Sequence, residues 1–94
     1  MARYMIEVSH QPDKSACLRM LDAFMQAGAH YLTNADWGCL SGHHTAWICV
    51  EAENDAQARL MVPPVVRQMA VLAKVDKFTA EQIKTLLESS KMAG

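Results

Sequence analysis

The chain has 94 residues, 51% of them hydrophobic, which is enough apolar side chain for one folded domain. Lys and Arg number 9 against 10 Asp and Glu, so the net charge is -1. The basic residues are scattered along the chain, which excludes the clustered positive surface that nucleic-acid binding requires.

The sequence also gives expectations about the compartment. No stretch approaches the ~20 consecutive apolar residues that cross a bilayer. An alternating pattern begins at Arg3, without the features of a secretory signal. Cys17, Cys39 and Cys49 are odd in number and lack CxxC spacing, which is typical of reduced thiols. We therefore expect a cytoplasmic protein without a membrane or nucleic-acid partner.

The first two elements are predicted from periodicity. Residues 3–10 (RYMIEVSH) alternate, with Tyr4, Ile6 and Val8 on one face, which predicts a strand. Apolar residues then recur at spacings of three and four, which predicts an amphipathic helix over residues 13–27. Asp13 is placed to cap this helix, and Gly28 is placed to end it.

The stretch from His30 to Glu53 is predicted to form a hairpin, with two extended segments joined by a turn over residues 40–43. In the second segment, Trp47 and Cys49 share a face with Thr45 and Glu51. A strand face that carries Trp and Cys beside polar residues is expected to meet another surface.

Helices and one more strand are predicted for the remaining chain. Asn54 is placed to cap a second helix, which Pro63 and Pro64 end. Residues 70–76 (AVLAKVD) predict a fourth strand. The Thr79-x-x-Gln82 capping box predicts a C-terminal helix over residues 80–89, followed by a frayed tail over residues 90–94.

The element order predicts an α+β, ferredoxin-like βαββαβ fold with a C-terminal helix, in one domain over residues 1–94. Right-handed crossovers place the first and third strands in the centre of a four-stranded antiparallel sheet, with the first two helices on one face. The other face is predicted to be half apolar, from Met5, Trp47, Cys49 and Leu72. With this order, length and face, the chain resembles the dimeric α/β-barrel superfamily, whose open sheets pack in pairs. The resemblance implies a homodimer but no particular chemistry, because its members include monooxygenases, isomerases and haem proteins.

One candidate site lies where strand ends meet at an edge of the predicted sheet. If His10 faces His44, the same register puts Glu7 opposite Trp47 and Arg3 opposite Glu51, which is a favourable pairing of charges. Imidazole and thiolate are common ligands of Zn, Ni and Cu. The sequence therefore predicts a metal or small-molecule site, whose candidate metal ligands are His10, Asp36, Cys39 and His44. The alternative is that these are ordinary turn and rim residues.

A second candidate site is a cavity between the open sheet face and a second copy of the chain. Its predicted lining is Glu7, Ser9, Trp47, Cys49 and Lys74. Glu7 and His10 are the candidate catalytic residues, because a partly desolvated carboxylate and an imidazole can both transfer protons. The alternative is that Glu7 only pairs with Lys74 or Arg3 in a hydrated interface.

Three functions follow from these predictions. The first is a homodimeric domain that binds a small molecule or a Zn, Ni or Cu ion at the strand edge. The second is a cofactor-independent isomerase or monooxygenase-like enzyme. The third is a purely structural dimerisation module. Cys17 is assigned to the core in all three, because it lies on the apolar stripe of the first helix.

Overall fold

The structure is a computed structural model that describes the backbone of residues 1–93 and the side chains of residues 1–90. It contains four strands and four helices within that range. In chain order they are β1 (Ala2–Ser9), α1 (Lys14–Ala27), α2 (Ala29–Thr33), β2 (Ala35–Trp37), β3 (Thr45–Ala52), α3 (Asp55–Arg59), β4 (Val71–Val75) and α4 (Ala80–Ala93). Turns of 3-10 helix cover Cys39–Ser41 and Pro64–Met69.

The four strands form one open antiparallel sheet in the order β2-β3-β1-β4. The protein is therefore of the α+β class, and the sheet is compatible with the predicted ferredoxin-like arrangement. The predicted central position of β1 and β3 is confirmed. The predicted register is confirmed too, because Glu7 pairs with Trp47 and Arg3 pairs with Glu51.

The core lies between the sheet and α1. Ile6 and Val8 of β1 and Ile48 of β3 are at most 1% exposed, and Phe24 of α1 is fully buried with them. Burial of these apolar side chains is the main favourable contribution to folding. Trp37 of β2 packs edge-on against Phe24, with ring centroids 4.8 Å apart.

Side-chain caps fix where α1, α3 and α4 begin, as predicted. Asp13 Oδ1 accepts a hydrogen bond from the Ala16 amide at 2.7 Å, at the start of α1. The Asn54 side chain accepts one from the Gln57 amide at 2.9 Å, at the start of α3. The capping box before α4 forms in both directions, through the reciprocal bonds of Thr79 and Gln82.

The prediction of an extended segment that starts at His30 is wrong for the first half of that segment. Residues Ala29–Thr33 form helix α2, and the strand that follows is limited to Ala35–Trp37. Helix α2 starts immediately after Gly28, whose φ of +142° lies in a region that favours glycine. Gly28 therefore lets α2 follow α1 after a single residue.

The predicted contents of the outer face are partly wrong. In β4, Leu72 pairs with Ile6 and Lys74 pairs with Tyr4, so both lie on the face that carries the helices. Val71 and Ala73 lie on the outer face in their place, because side chains alternate along a strand.

The C-terminal helix continues beyond its predicted end to Ala93, and Gly94, the last residue of the predicted frayed tail, lies outside the described residues. Over the described part of the chain, none of the helices combines the length and the apolar character needed to cross a membrane.

Candidate metal centre

Three residues next to strand ends come together at one end of the sheet. His10 follows β1, His44 precedes β3, and Cys39 begins the turn between β2 and β3. The His10 amide donates to the His44 carbonyl at 3.1 Å, which continues the β1–β3 ladder beyond its last pair. One ligand atom from each of the three side chains lies within 4.8 Å of the other two. We call this group the His10–Cys39–His44 cluster.

The imidazole of His10 is oriented by hydrogen bonds on both of its nitrogens. Its Nδ1 is 2.8 Å from the Gln11 carbonyl oxygen. Because a carbonyl only accepts, Nδ1 carries the proton in the neutral ring, and Nε2 presents a lone pair. Nε2 lies 3.2 Å from Cys39 Sγ, so the thiol donates to it. Metal-binding histidines are held in the same way, with one nitrogen donating to a carbonyl and the other free to bind.

His44 contributes an unsatisfied nitrogen. The side chain is half-buried, and its Nδ1 is buried without a hydrogen-bond partner. Its ring meets that of His10 nearly edge-on, with centroids 5.4 Å apart and planes at 72°. A buried polar atom without a partner costs about 1–3 kcal/mol, and a bound ion or water is a common explanation.

The surroundings of Cys39 favour the protonated form of its thiol. Burial, followed by the nearby Cys17 thiol, raises the pKa of Cys39 above its usual value. The thiolate is the form that binds metals, so a metal ion must displace this proton. The structure places the Cys39 sulfur beside His10, at 3.2 Å from its Nε2.

The turn that carries Cys39 is positioned by Gly38. The Gly38 amide donates to the Thr45 carbonyl at 3.1 Å, and its carbonyl accepts from the His43 amide at 2.9 Å. A Cβ at Gly38 would lie 2.6 Å from the Trp47 ring and 2.7 Å from the His43 oxygen. Only glycine permits this close approach, which holds Cys39 next to the start of β3.

The structure does not bring Asp36, the fourth predicted metal ligand, to the cluster. Asp36 pairs with Trp47 and therefore lies on the outer face, where it is exposed. Its neighbour Trp37 points to the opposite face and packs on Phe24. The pleat of β2 separates Asp36 from the other three predicted ligands.

The residues of the second predicted site are divided between the two faces of the sheet. Glu7 and Cys49 are exposed on the outer face, where Trp47 is half-buried. Lys74 lies on the helix-bearing face, so it does not join them. His10 contacts Cys39 instead of Glu7. Because Glu7 and Cys49 are exposed in the described part of one chain, a proton-transfer cavity depends on a second copy and stays a prediction.

Cys17 is the residue near the cluster that the sequence assigned to another role. It is half-buried, and it lines a pocket together with Cys39 and His44. Its position in the sequence could have indicated this placement. Cys17 lies in the first turns of a helix that begins only a few residues after His10. Its place on the apolar stripe of the helix favoured a core assignment instead.

The fold and the cluster define an α+β protein with an open antiparallel sheet and a His2Cys group at one sheet end. Comparison with known proteins gives no significant match to a protein family, a curated protein or a solved structure. The function is therefore argued from the site itself.

Proposed function

We propose that this protein binds one transition-metal ion through His10, Cys39 and His44. The observation that carries the proposal is the convergence of two imidazole nitrogens and one thiol within 4.8 Å. These residues come from distant parts of the sequence, and the backbone pairing of His10 with His44 holds two of them in register. The fixed tautomer of His10 and the unpartnered nitrogen of His44 give independent support.

The ligand types favour zinc and its neighbours over magnesium and calcium. Two imidazoles and one thiolate form a borderline-soft set, whereas Mg²⁺ and Ca²⁺ prefer oxygen. Zn²⁺ binds such sets at about 2.0–2.1 Å for nitrogen and about 2.3 Å for sulfur. Cu²⁺ and Ni²⁺ compete for the same ligands, so we take Zn²⁺ as the leading ion and the other two as comparisons.

Titration of the metal-free protein against a chromophoric zinc chelator tests this proposal. We expect one Zn²⁺ per chain, and a loss of affinity of at least about tenfold in His10→Ala and in His44→Ala. His43→Ala is the matched control, because His43 is next to His44 in sequence but is exposed and oriented toward Trp47. Its affinity should equal that of the wild type.

Two results would count against the site. One is the failure of Zn²⁺, Ni²⁺ and Cu²⁺ to bind stoichiometrically to the metal-free protein. The other is equal binding by the wild type, His10→Ala and His44→Ala. Circular dichroism of each variant shows whether a loss of binding reflects the removed ligand or a loss of the fold.

We further propose that two copies of the chain pair through the outer sheet face, as in the dimeric α/β barrels that it resembles. The outer face carries Met5, Cys49, Val71 and Ala73 in exposed positions, with Trp47 half-buried among them. The face also carries the charged residues Glu7 and Asp36, so it is half apolar, and a half-apolar sheet face is often covered by a partner.

A further inference from the structure

Cys17 lies on α1 and lines a pocket with two of the three cluster residues, Cys39 and His44. Its amide donates to the Asp13 carbonyl at 3.1 Å, in the first turn of the helix. The Cys17 side chain lines a pocket of about 400 Å³ together with Cys39 and His44. Leu18, Leu21 and Leu40 form apolar walls of the same pocket. The pocket therefore joins the helix to two members of the cluster.

Cys17 and Cys39 line the same pocket, together with His44. Cys17 and Cys39 are both free and both half-buried, whereas Cys49 is exposed on the outer face.

The geometry of zinc sites indicates what Cys17 can do at this position. Zinc in structural sites is almost always tetrahedral, with four protein ligands. From its bond lengths, neighbouring ligand atoms of such a site lie roughly 3.3–3.8 Å apart. His10 Nε2 and Cys39 Sγ, at 3.2 Å, are already close to that separation. The three cluster residues leave one position of the tetrahedron to be filled.

We propose that Cys17 fills the fourth position, so that the metal site is a closed Cys2His2 centre. This inference rests on the proposed metal binding. The Cys17 sulfur has to move toward the cluster when the metal binds, because it is not one of the three ligand atoms that converge within 4.8 Å. On binding, each cysteine loses its thiol proton to solvent and forms a metal–sulfur bond, so no oxidant or reductant is needed.

A closed site has a different role from an open one. With four protein ligands, zinc has no position left for a water or substrate, so it contributes to folding and not to hydrolysis. The ion would join three parts of the chain: the residue after β1, the first turns of α1 and the turn before β3.

X-ray absorption spectroscopy of the zinc-loaded wild-type protein tests the inference without any mutation. We expect a first shell of two sulfur and two nitrogen atoms. A shell with one sulfur would overturn the role of Cys17, while the metal site itself would stand. A protein that binds no zinc removes both proposals, so the two failures are distinguishable.

Cobalt substitution gives a second readout on variants. The absorption from thiolate-to-Co²⁺ charge transfer should fall by about half in Cys17→Ser and in Cys39→Ser, because each removes one of two sulfur ligands. Zinc affinity should fall by at least about tenfold in both. Cys49→Ser is the matched control and should leave the spectrum unchanged. A Cys17→Ser protein with wild-type spectrum and affinity would contradict the inference.

Discussion

The three cysteines differ in what surrounds their thiols. Cys49 is exposed on the outer face, whereas Cys17 and Cys39 are half-buried at one end of the sheet. Burial and the neighbouring Cys17 thiol raise the pKa of Cys39 above the ordinary value of 9.0. Because the thiolate is the nucleophile, these surroundings predict that the exposed Cys49 reacts faster than the half-buried Cys39. They also predict that Cys17 and Cys39, and not Cys49, bind the metal.

We predict that iodoacetamide modifies Cys49 first in the metal-free protein at pH 7.5, and Cys39 much more slowly. The rate at Cys39 should still be rising above pH 9, since its pKa is raised above 9.0 and its thiolate fraction has not yet levelled off there. Zinc should suppress modification of Cys17 and Cys39 and leave Cys49 unaffected. Peptide mass spectrometry measures all three rates, and equal protection of Cys49 would argue against a specific site.

Part of the site could be predicted residue by residue. The pairing of His10 with His44 followed from the alternation of two strands and one favourable charge pair, so it was within reach of the sequence. The exclusion of Asp36 was not, because it depends on which face a three-residue strand presents. The approach of Cys17 depends on how α1 packs over the sheet, and periodicity describes only one helix at a time.

At the scale of elements, the turn between β2 and β3 determines whether Cys39 reaches the histidines. Gly38 is buried, with the Trp47 ring and the His43 backbone too close for any side chain. Gly42 closes the same turn with a φ of +89°, but nothing lies within 4 Å of the position of its Cβ. The two glycines are therefore needed for different reasons.

We predict that Gly38→Ala lowers the free energy of unfolding by about 1–3 kcal/mol, because the added methyl group must displace Trp47 or the turn. Zinc affinity should fall with it, since Cys39 follows Gly38 directly. Gly42→Asn is the control: asparagine tolerates left-handed backbone and meets open space there. Chemical unfolding and zinc titration of both variants measure these effects. Equal zinc affinity in Gly38→Ala and the wild type would contradict the positioning role of Gly38.

The elements themselves were largely predictable, with one informative exception. The caps at Asp13, Asn54 and Thr79 form as the sequence indicates, because capping depends on neighbours within one turn. The short helix α2 was mistaken for a strand. Its five residues carry no clear period, and Tyr31, which packs against the core, holds it by tertiary contact.

At the scale of the whole molecule, the chain is more extended than its length requires. Its radius of gyration is 17.2 Å, with extents of 53 × 29 × 20 Å. A compact chain of this length has a radius of about 12 Å. The difference is due largely to α4, whose side chains are exposed throughout the part described. Its apolar stripe, Ile83, Leu86 and Leu87, is between 47% and 59% exposed.

We predict that the protein is a dimer at micromolar concentration, because a second copy would cover both the outer face and the stripe of α4. Met5→Glu and Leu87→Glu should each shift the equilibrium toward monomer. Lys84→Glu, on α4 but outside the stripe, should not. Sedimentation velocity measures the distribution. A monomeric wild type would remove both the dimer and the cavity in which Glu7 and His10 were predicted to act.

The most direct test of metal binding is a crystal structure of the zinc-loaded protein with anomalous data at the zinc edge. We predict one anomalous peak per chain, bonded to His10 Nε2, Cys39 Sγ and a ring nitrogen of His44. A peak bonded to Asp36 or other surface groups in place of these three residues, or no peak in crystals grown with stoichiometric zinc, would contradict the proposed site.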